Sequence, residues 1–158
     1  MTLKEKTDVS KGLITLAAKA YPHIFAACSF GKDSVVIVDL VRQINPDFQF
    51  VGIDTGYEFE ETLSFAASLV SDLKMNFKST RTSEEDEKKI NEYYGASFIK
   101  NDQYKCCEMK IPAINAVLGN YDAWITGLRR DETEYRKNTP LVEDGNIAKI
   151  NPIAFWTK

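Results

Sequence analysis

Apolar and polar residues alternate along this chain in two rhythms. Residues 24 to 28, Ile-Phe-Ala-Ala-Cys, are a short continuous apolar run, which suits a strand buried on both faces. From Asp33 onward Val35, Val36, Val38, Leu40 and Val41 continue it as a mostly buried helix. That helix must stop before Asn45-Pro46, because proline disfavours helical backbone in the residue preceding it. Residues 48 to 54 read as a second buried strand. Across residues 58 to 74, Phe59, Leu63, Ala66, Leu69, Val70 and Leu73 recur at helical spacing. A third strand is predicted at 76 to 80. A solvated helix follows from Ser83, with Ser83 as N-cap, Asp86 three residues on and Gly95 as its stop. Residues 107 to 118 predict a further helix, bent at Pro112, and 121 to 127 a fourth strand. The segment 145 to 158 supplies a fifth.

Strands alternating with helices predict an α/β fold: an open, mostly parallel five-stranded sheet, Rossmann-like, with helices on both faces. Ligands of such sheets lie at the carboxyl ends of the strands. No internal repeat, low-complexity stretch or linker interrupts residues 1 to 158, which read as a single domain.

Composition narrows the chemistry. A chain of 158 residues buries roughly 70% of its unfolded surface, enough for a real core. Lys and Arg number 20 against 23 Asp and Glu, a net charge of -3. This offers no broad basic surface for nucleic acid, so any anion site must be local. The first twelve residues lack a signal-peptide core, and no window approaches a membrane span. A cytoplasmic protein is expected. Three cysteines, Cys28, Cys106 and Cys107, fit a secreted disulfide framework poorly. Reduced thiols or thiols on a metal cluster are the better readings.

Three polar stretches follow predicted strands. Ser29-Phe30-Gly31-Lys32-Asp33-Ser34 occupies a turn into a helix, where unpaired N–H groups and the helix dipole favour an anion. Gly31 allows close backbone approach, the two serines offer hydroxyls and Lys32 a positive charge. The stretch is not a Walker loop, which needs Gly, four intervening residues, then Gly-Lys-Ser/Thr. Spacing alone leaves phosphate binding and a plain capped turn both open. Asp54, Thr55 and Gly56 fall on the rim of the second strand, as a turn or as part of a site. Arg129 and Arg130 follow the fourth, as surface charge or as a bidentate anion clamp. Three such loops after three strands of one parallel sheet favour a nucleotide site. The lone histidine, His23, permits neither a histidine metal site nor a Ser-His-Asp triad.

Together the stretches 29–36, 54–63, 105–118 and 124–133 resemble the phosphoadenosine or adenosine phosphosulfate reductases and their PP-loop relatives, which share an adenine nucleotide alpha-hydrolase-like fold. The resemblance runs from about Ala26 to Trp156. It implies that residues 29 to 34 hold the phosphosulfate or phosphate end of a nucleotide, with 54 to 57 near the adenosine. It implies an anion-clamping role for Arg129 and Arg130 and matches Lys110 to a basic residue after the family's cysteine pair. Phe30 stands where the ATP-pyrophosphatase branch usually has glycine, which favours the reductase-like branch.

Cys106 and Cys107 resemble half of the four-cysteine iron–sulfur ligand set of adenosine phosphosulfate reductases. The other half, a C-x-x-C pair, is missing, and a cluster takes four thiolates. Packing, a vestigial half-site, or a cluster to which two chains each give a pair are the readings for Cys106 and Cys107, and core packing for Cys28. The family's nucleophilic cysteine lies on a C-terminal tail that this sequence does not contain.

Three functions are therefore expected, in this order: a reductase-family domain for adenylylated sulfate in sulfur assimilation, with a thioredoxin-like reductant; a PP-loop ATP pyrophosphatase requiring Mg²⁺, adenylating a substrate for sulfur transfer; and a non-catalytic nucleotide-binding module. The ligand is PAPS, APS or ATP. Nucleic acid and membrane are not expected partners, and a homo-oligomer is left open.

Overall fold

A computed structural model describes residues 1–94 and 108–157. Helix α1 (Leu3–Ala20) leads, followed by β1 (Ile24–Ala27), α2 (Lys32–Arg42), β2 (Phe50–Asp54), α3 (Glu60–Asp72), β3 (Phe77–Arg81) and α4 (Glu84–Tyr94). After the interval come α5 (Lys110–Leu118), β4 (Ala123–Ile125), a 3-10 turn (Glu134–Arg136), β5 (Val142–Glu143) and β6 (Ala148–Ile150).

The strands form one sheet in the order β3-β2-β1-β4-β6-β5. All neighbours run parallel except the edge pair β5 and β6. The sheet therefore has six strands among the described residues, not five. The extra one, β5, is two residues long, too short for any period to register. The fifth predicted strand is β6, parallel to β4 with Ala123 opposite Ala148.

The central strand explains the apolar run at 24 to 28. Ala26 and Cys28 join a cluster containing Ile14 of α1 and Ile37, Val38 and Val41 of α2. Phe25 packs instead with Val51 and Val117, and Ala27 with Ile114 and Leu118, against α5. Successive side chains of a strand point to opposite faces, so both faces of β1 must be apolar.

Two helices behave differently from expectation. α1 was not predicted, yet Ile14 is fully buried and Ala17 nearly so. Thr2 and Glu5 form a reciprocal capping box at its start, which fixes two otherwise unpaired N–H groups. Pro112 bends nothing: it lies in the first turn of α5, where its missing N–H would have had no helical partner. Ser83 does cap α4, its hydroxyl accepting from Asp86 N at 3.1 Å.

Candidate functional site

The strand order reverses direction between β1 and β4: the chain moves from β1 outward to β2 and β3, then returns to the other side of β1. This switch point leaves a crevice above the carboxyl ends of β1 and β4. A cavity of about 540 Å³ fills it. Its walls are Ala27 to Ser34, save Phe30, with Val51, Ile53, Trp124, Gly127 and Leu128, and with Lys110 and Ile114 of α5. Glu132 and Arg136 complete it.

The floor is the N-terminus of α2. Gly31 is its N-cap, with extended backbone (φ -74°), and no side chain caps the helix. Ser34 Oγ turns back to donate to Gly31 O at 2.9 Å and lies 3.3 Å from Ser29 Oγ. The first-turn N–H groups, which have no partner within a helix, are thus left for a ligand, and the dipole makes that ligand an anion. A Cβ on Gly31 would meet only Ser29 Oγ, at 3.7 Å. The glycine here serves the space beside it, not the fold. Phe30 adopts a left-handed φ of 58°, a conformation comfortable for glycine and strained for phenylalanine. Its ring is held edge-on against Phe77, centroids 5.3 Å apart.

Gly127 brings the β4 loop against this cradle. A Cβ there would come within 3.1 Å of Asp33 C and 3.2 Å of Ser34 N, so only glycine lets the two loops meet at this distance.

A second cavity of about 190 Å³ adjoins the first. It lies beyond Phe30, between β2, β3 and α3, and takes in Ile53, Asp54, Glu58, Leu63 and Phe77. Cys28, Ser29, Ile53 and Lys110 border both cavities. Asp54 Oδ1 accepts from Gly56 N at 2.7 Å, and Thr55 donates its hydroxyl to Glu58 Oε1 at 3.0 Å. The 54–58 segment is a tight turn, with Gly56 at φ 76°. Thr55 is buried, and neither it nor Gly56 lines a cavity.

The expected arginine pair is placed elsewhere. Arg129 is 5% exposed and lines neither cavity. Its Nη1 donates to Asp131 Oδ1 at 2.7 Å, and its Nε lies 2.9 Å from Asp33 Oδ1. That second N–H is not aimed at the oxygen, so the contact is a charge pairing, not a hydrogen bond. Arg130 turns outward, its Nε donating to Thr139 O at 2.7 Å. Among the described residues, the cations that do line the main cavity are Lys32, Lys110 and Arg136. Sequence reasoning missed Arg136, which pairs with Glu132 four residues earlier. Its four-residue spacing from Glu132 was the only available signal.

Cys106 and Cys107 lie outside the described residues. Among the described residues the one cysteine is Cys28, and no three His, Cys, Asp or Glu side chains stand together as a metal site. Burial pushes the Cys28 thiol above its ordinary value, outweighing contacts from Phe30 N–H and Ser34 that act the other way. The described residues therefore supply one cysteine, Cys28, and the candidate cluster ligands lie outside them. No helix among the described residues is long and apolar enough to cross a membrane.

A mostly parallel sheet with an uncapped helix N-terminus at its switch point and, among the described residues, three cations lining the crevice defines an α/β protein whose geometry suits an anion. Residues 23–158 match the phosphoadenosine phosphosulfate reductase domain, and the chain belongs to that family. It is 35% identical to an adenosine 5′-phosphosulfate reductase of Staphylococcus haemolyticus over 96% of this chain and 65% of that protein. A Geobacillus kaustophilus protein of the same name is 33% identical, over 94% and 66%. The chain thus spans just under two thirds of these relatives. Among solved structures, a phosphoadenylyl-sulfate reductase from Candida auris in a phosphate complex superposes with TM-score 0.68 at 17% identity, covering 99% of this chain and 82% of that one. The NH3-dependent NAD synthetase of Campylobacter jejuni does so at 0.65, also at 17% identity, covering 100% and 69%.

Proposed function

We propose that this chain is the nucleotide-binding part of an enzyme that reduces an adenylylated sulfate in sulfur assimilation. The observation that carries the reading is the uncapped start of α2 beneath a cavity lined by Lys32, Lys110 and Arg136. The 29–34 loop and these cations hold the 5′-phosphosulfate, and the adjoining apolar cavity takes the nucleoside. Binding and orientation are what the described residues can perform. The attack on sulfur needs an accessible thiolate, which buried Cys28 with its raised pKa does not provide. A cysteine elsewhere, regenerated by a thioredoxin-like donor, completes the reaction.

Calorimetry with AMP is the test. Binding is expected for the native chain, and Gly31→Val is expected to abolish it with unchanged circular dichroism, since the new side chain enters the cavity and not the core. Unchanged affinity in the variant would overturn the loop's role. Pyrophosphate release from ATP with Mg²⁺ would replace the reductase reading with an adenylating one.

A further inference from the structure

Among the described residues two that are not glycine adopt a left-handed backbone, Phe30 (φ 58°) and Lys74 (φ 47°). Lys74 follows the C-cap of α3, where helices commonly end in that conformation. Phe30 stands instead in the turn between β1 and α2, one residue before the Gly31 N-cap. A Cβ makes this backbone region unfavourable, and such strain persists only where the surroundings over-determine it.

The determining group is the ring. It meets Phe77 of β3 edge-on, with 5.3 Å between centroids, and both rings pack on the main core cluster. Phe77 is in turn seated on β2: a Cβ on Gly52 would come within 2.6 Å of Phe77 Cζ and 3.0 Å of Cys28 O. A bare backbone at position 52 is therefore what lets the Phe77 ring lie over β2 and reach Phe30.

This row of contacts sets how the chain enters α2. Ser29 and Ser34, on either side of Phe30, bring their hydroxyls to 3.3 Å, and Gly31 O accepts from both Val35 N–H and the Ser34 hydroxyl. Returning Phe30 to an ordinary negative φ would swing Ser29 away from the first turn of α2, the turn whose N–H groups face the main cavity. Phe30 does not line that cavity and borders only the small one. Its influence on the anion end is indirect.

Building on the nucleotide reading, we propose that Phe30 is a positioning residue: its ring, clamped by Phe77 over Gly52, holds the turn in the left-handed conformation that shapes the anion cradle before a ligand arrives. Binding is then spared the cost of ordering the turn. Glycine would adopt the same φ unaided, so the ring serves the cradle only because residue 30 carries a Cβ.

That last point supplies the test. Phe30→Gly and Phe30→Ala both lose the ring and any contact it makes in the small cavity, and they differ in how readily they take a positive φ. Calorimetry with AMP on the whole chain is expected to show Phe30→Gly binding at least about threefold tighter than Phe30→Ala. A role in packing alone predicts the reverse order or none, since glycine is the smaller and more flexible residue. Phe77→Leu is expected to weaken AMP about threefold more in the native chain than in the Phe30→Gly background, where the turn no longer depends on the clamp. Circular dichroism checks the fold of each variant. Equal affinities of the two Phe30 variants, or tighter binding by Phe30→Ala, would overturn the positioning role while leaving the nucleotide reading intact. Equal effects of Phe77→Leu in the two backgrounds would overturn the clamp. Absence of AMP binding to the native chain would overturn the nucleotide reading and this proposal with it.

Discussion

Arg129 shows how far a residue's role depends on what surrounds it. As one of two adjacent arginines after a strand it looks ready to clamp an anion, but it is spent on Asp33 and Asp131 beneath the loop. It ties the β4 loop to the first turn of α2 through Asp33 and so steadies the proposed phosphate cradle while lining neither cavity. Its partners Asp33 and Asp131 keep 21% and 28% exposure, so water partly reaches the carboxylates left behind. Arg129→Ala is therefore expected to cost about 1.5–3 kcal/mol in urea unfolding, the scale of a hydrogen bond to a charged group. A loss below about 1 kcal/mol would class it with surface pairs. Cys28 gives a pH prediction of definite sign. Its folded pKa is raised above the ordinary 9.0 by burial, so the folded chain holds the thiol proton more tightly than the unfolded chain. Its contribution to stability is complete below about pH 9 and is lost as the pH rises beyond. Unfolding midpoints measured from pH 8 to 10.5 should fall more steeply for the native chain than for Cys28→Ala.

At the scale of elements, the contact between the β4 loop and α2 is the critical one, and Gly127 sets its distance. Gly127→Ala must push Asp33 and Ser34 away by a few tenths of an ångström. An expected stability loss of about 1–3 kcal/mol follows from such overpacking. AMP affinity should fall as well, since the displaced atoms belong to the first turn that faces the cavity. Retention of full affinity would show that the cradle tolerates the shift. The repeated strand-helix units were legible in sequence because each apolar run kept one period. Helix α3 was legible as a helix, but its burial was not: Phe59 and Leu63 are 72% and 50% exposed, while Leu69, Val70 and Leu73 pack on the core. The spacing of apolar residues defines a face, and only the neighbouring elements decide how much of that face is covered.

Over the whole molecule, α1 closes the fold by joining its two ends. Ser10, fully buried, donates to Pro152 O at 2.6 Å and accepts from Trp156 Nε1 at 3.0 Å. Ser10→Ala would leave a buried carbonyl and an indole N–H without this partner, a cost of about 1–3 kcal/mol. Thermal unfolding reads it, and no change would mean that the C-terminal turn is held by packing alone. What the sequence by itself determined here was local or periodic. It set the parallel strands and the helices from α2 to α5, the glycine-bearing turn after β1, the cap of α4 and the core character of Cys28, all of which follow from residues within a few positions of one another. The tertiary structure alone decided which cations reach the crevice, why Arg129 does not and how Arg136 comes to line it. Those outcomes depend on side chains from β1, β2, α5 and the β4 loop meeting in space, and residues a hundred positions apart leave no period in the chain.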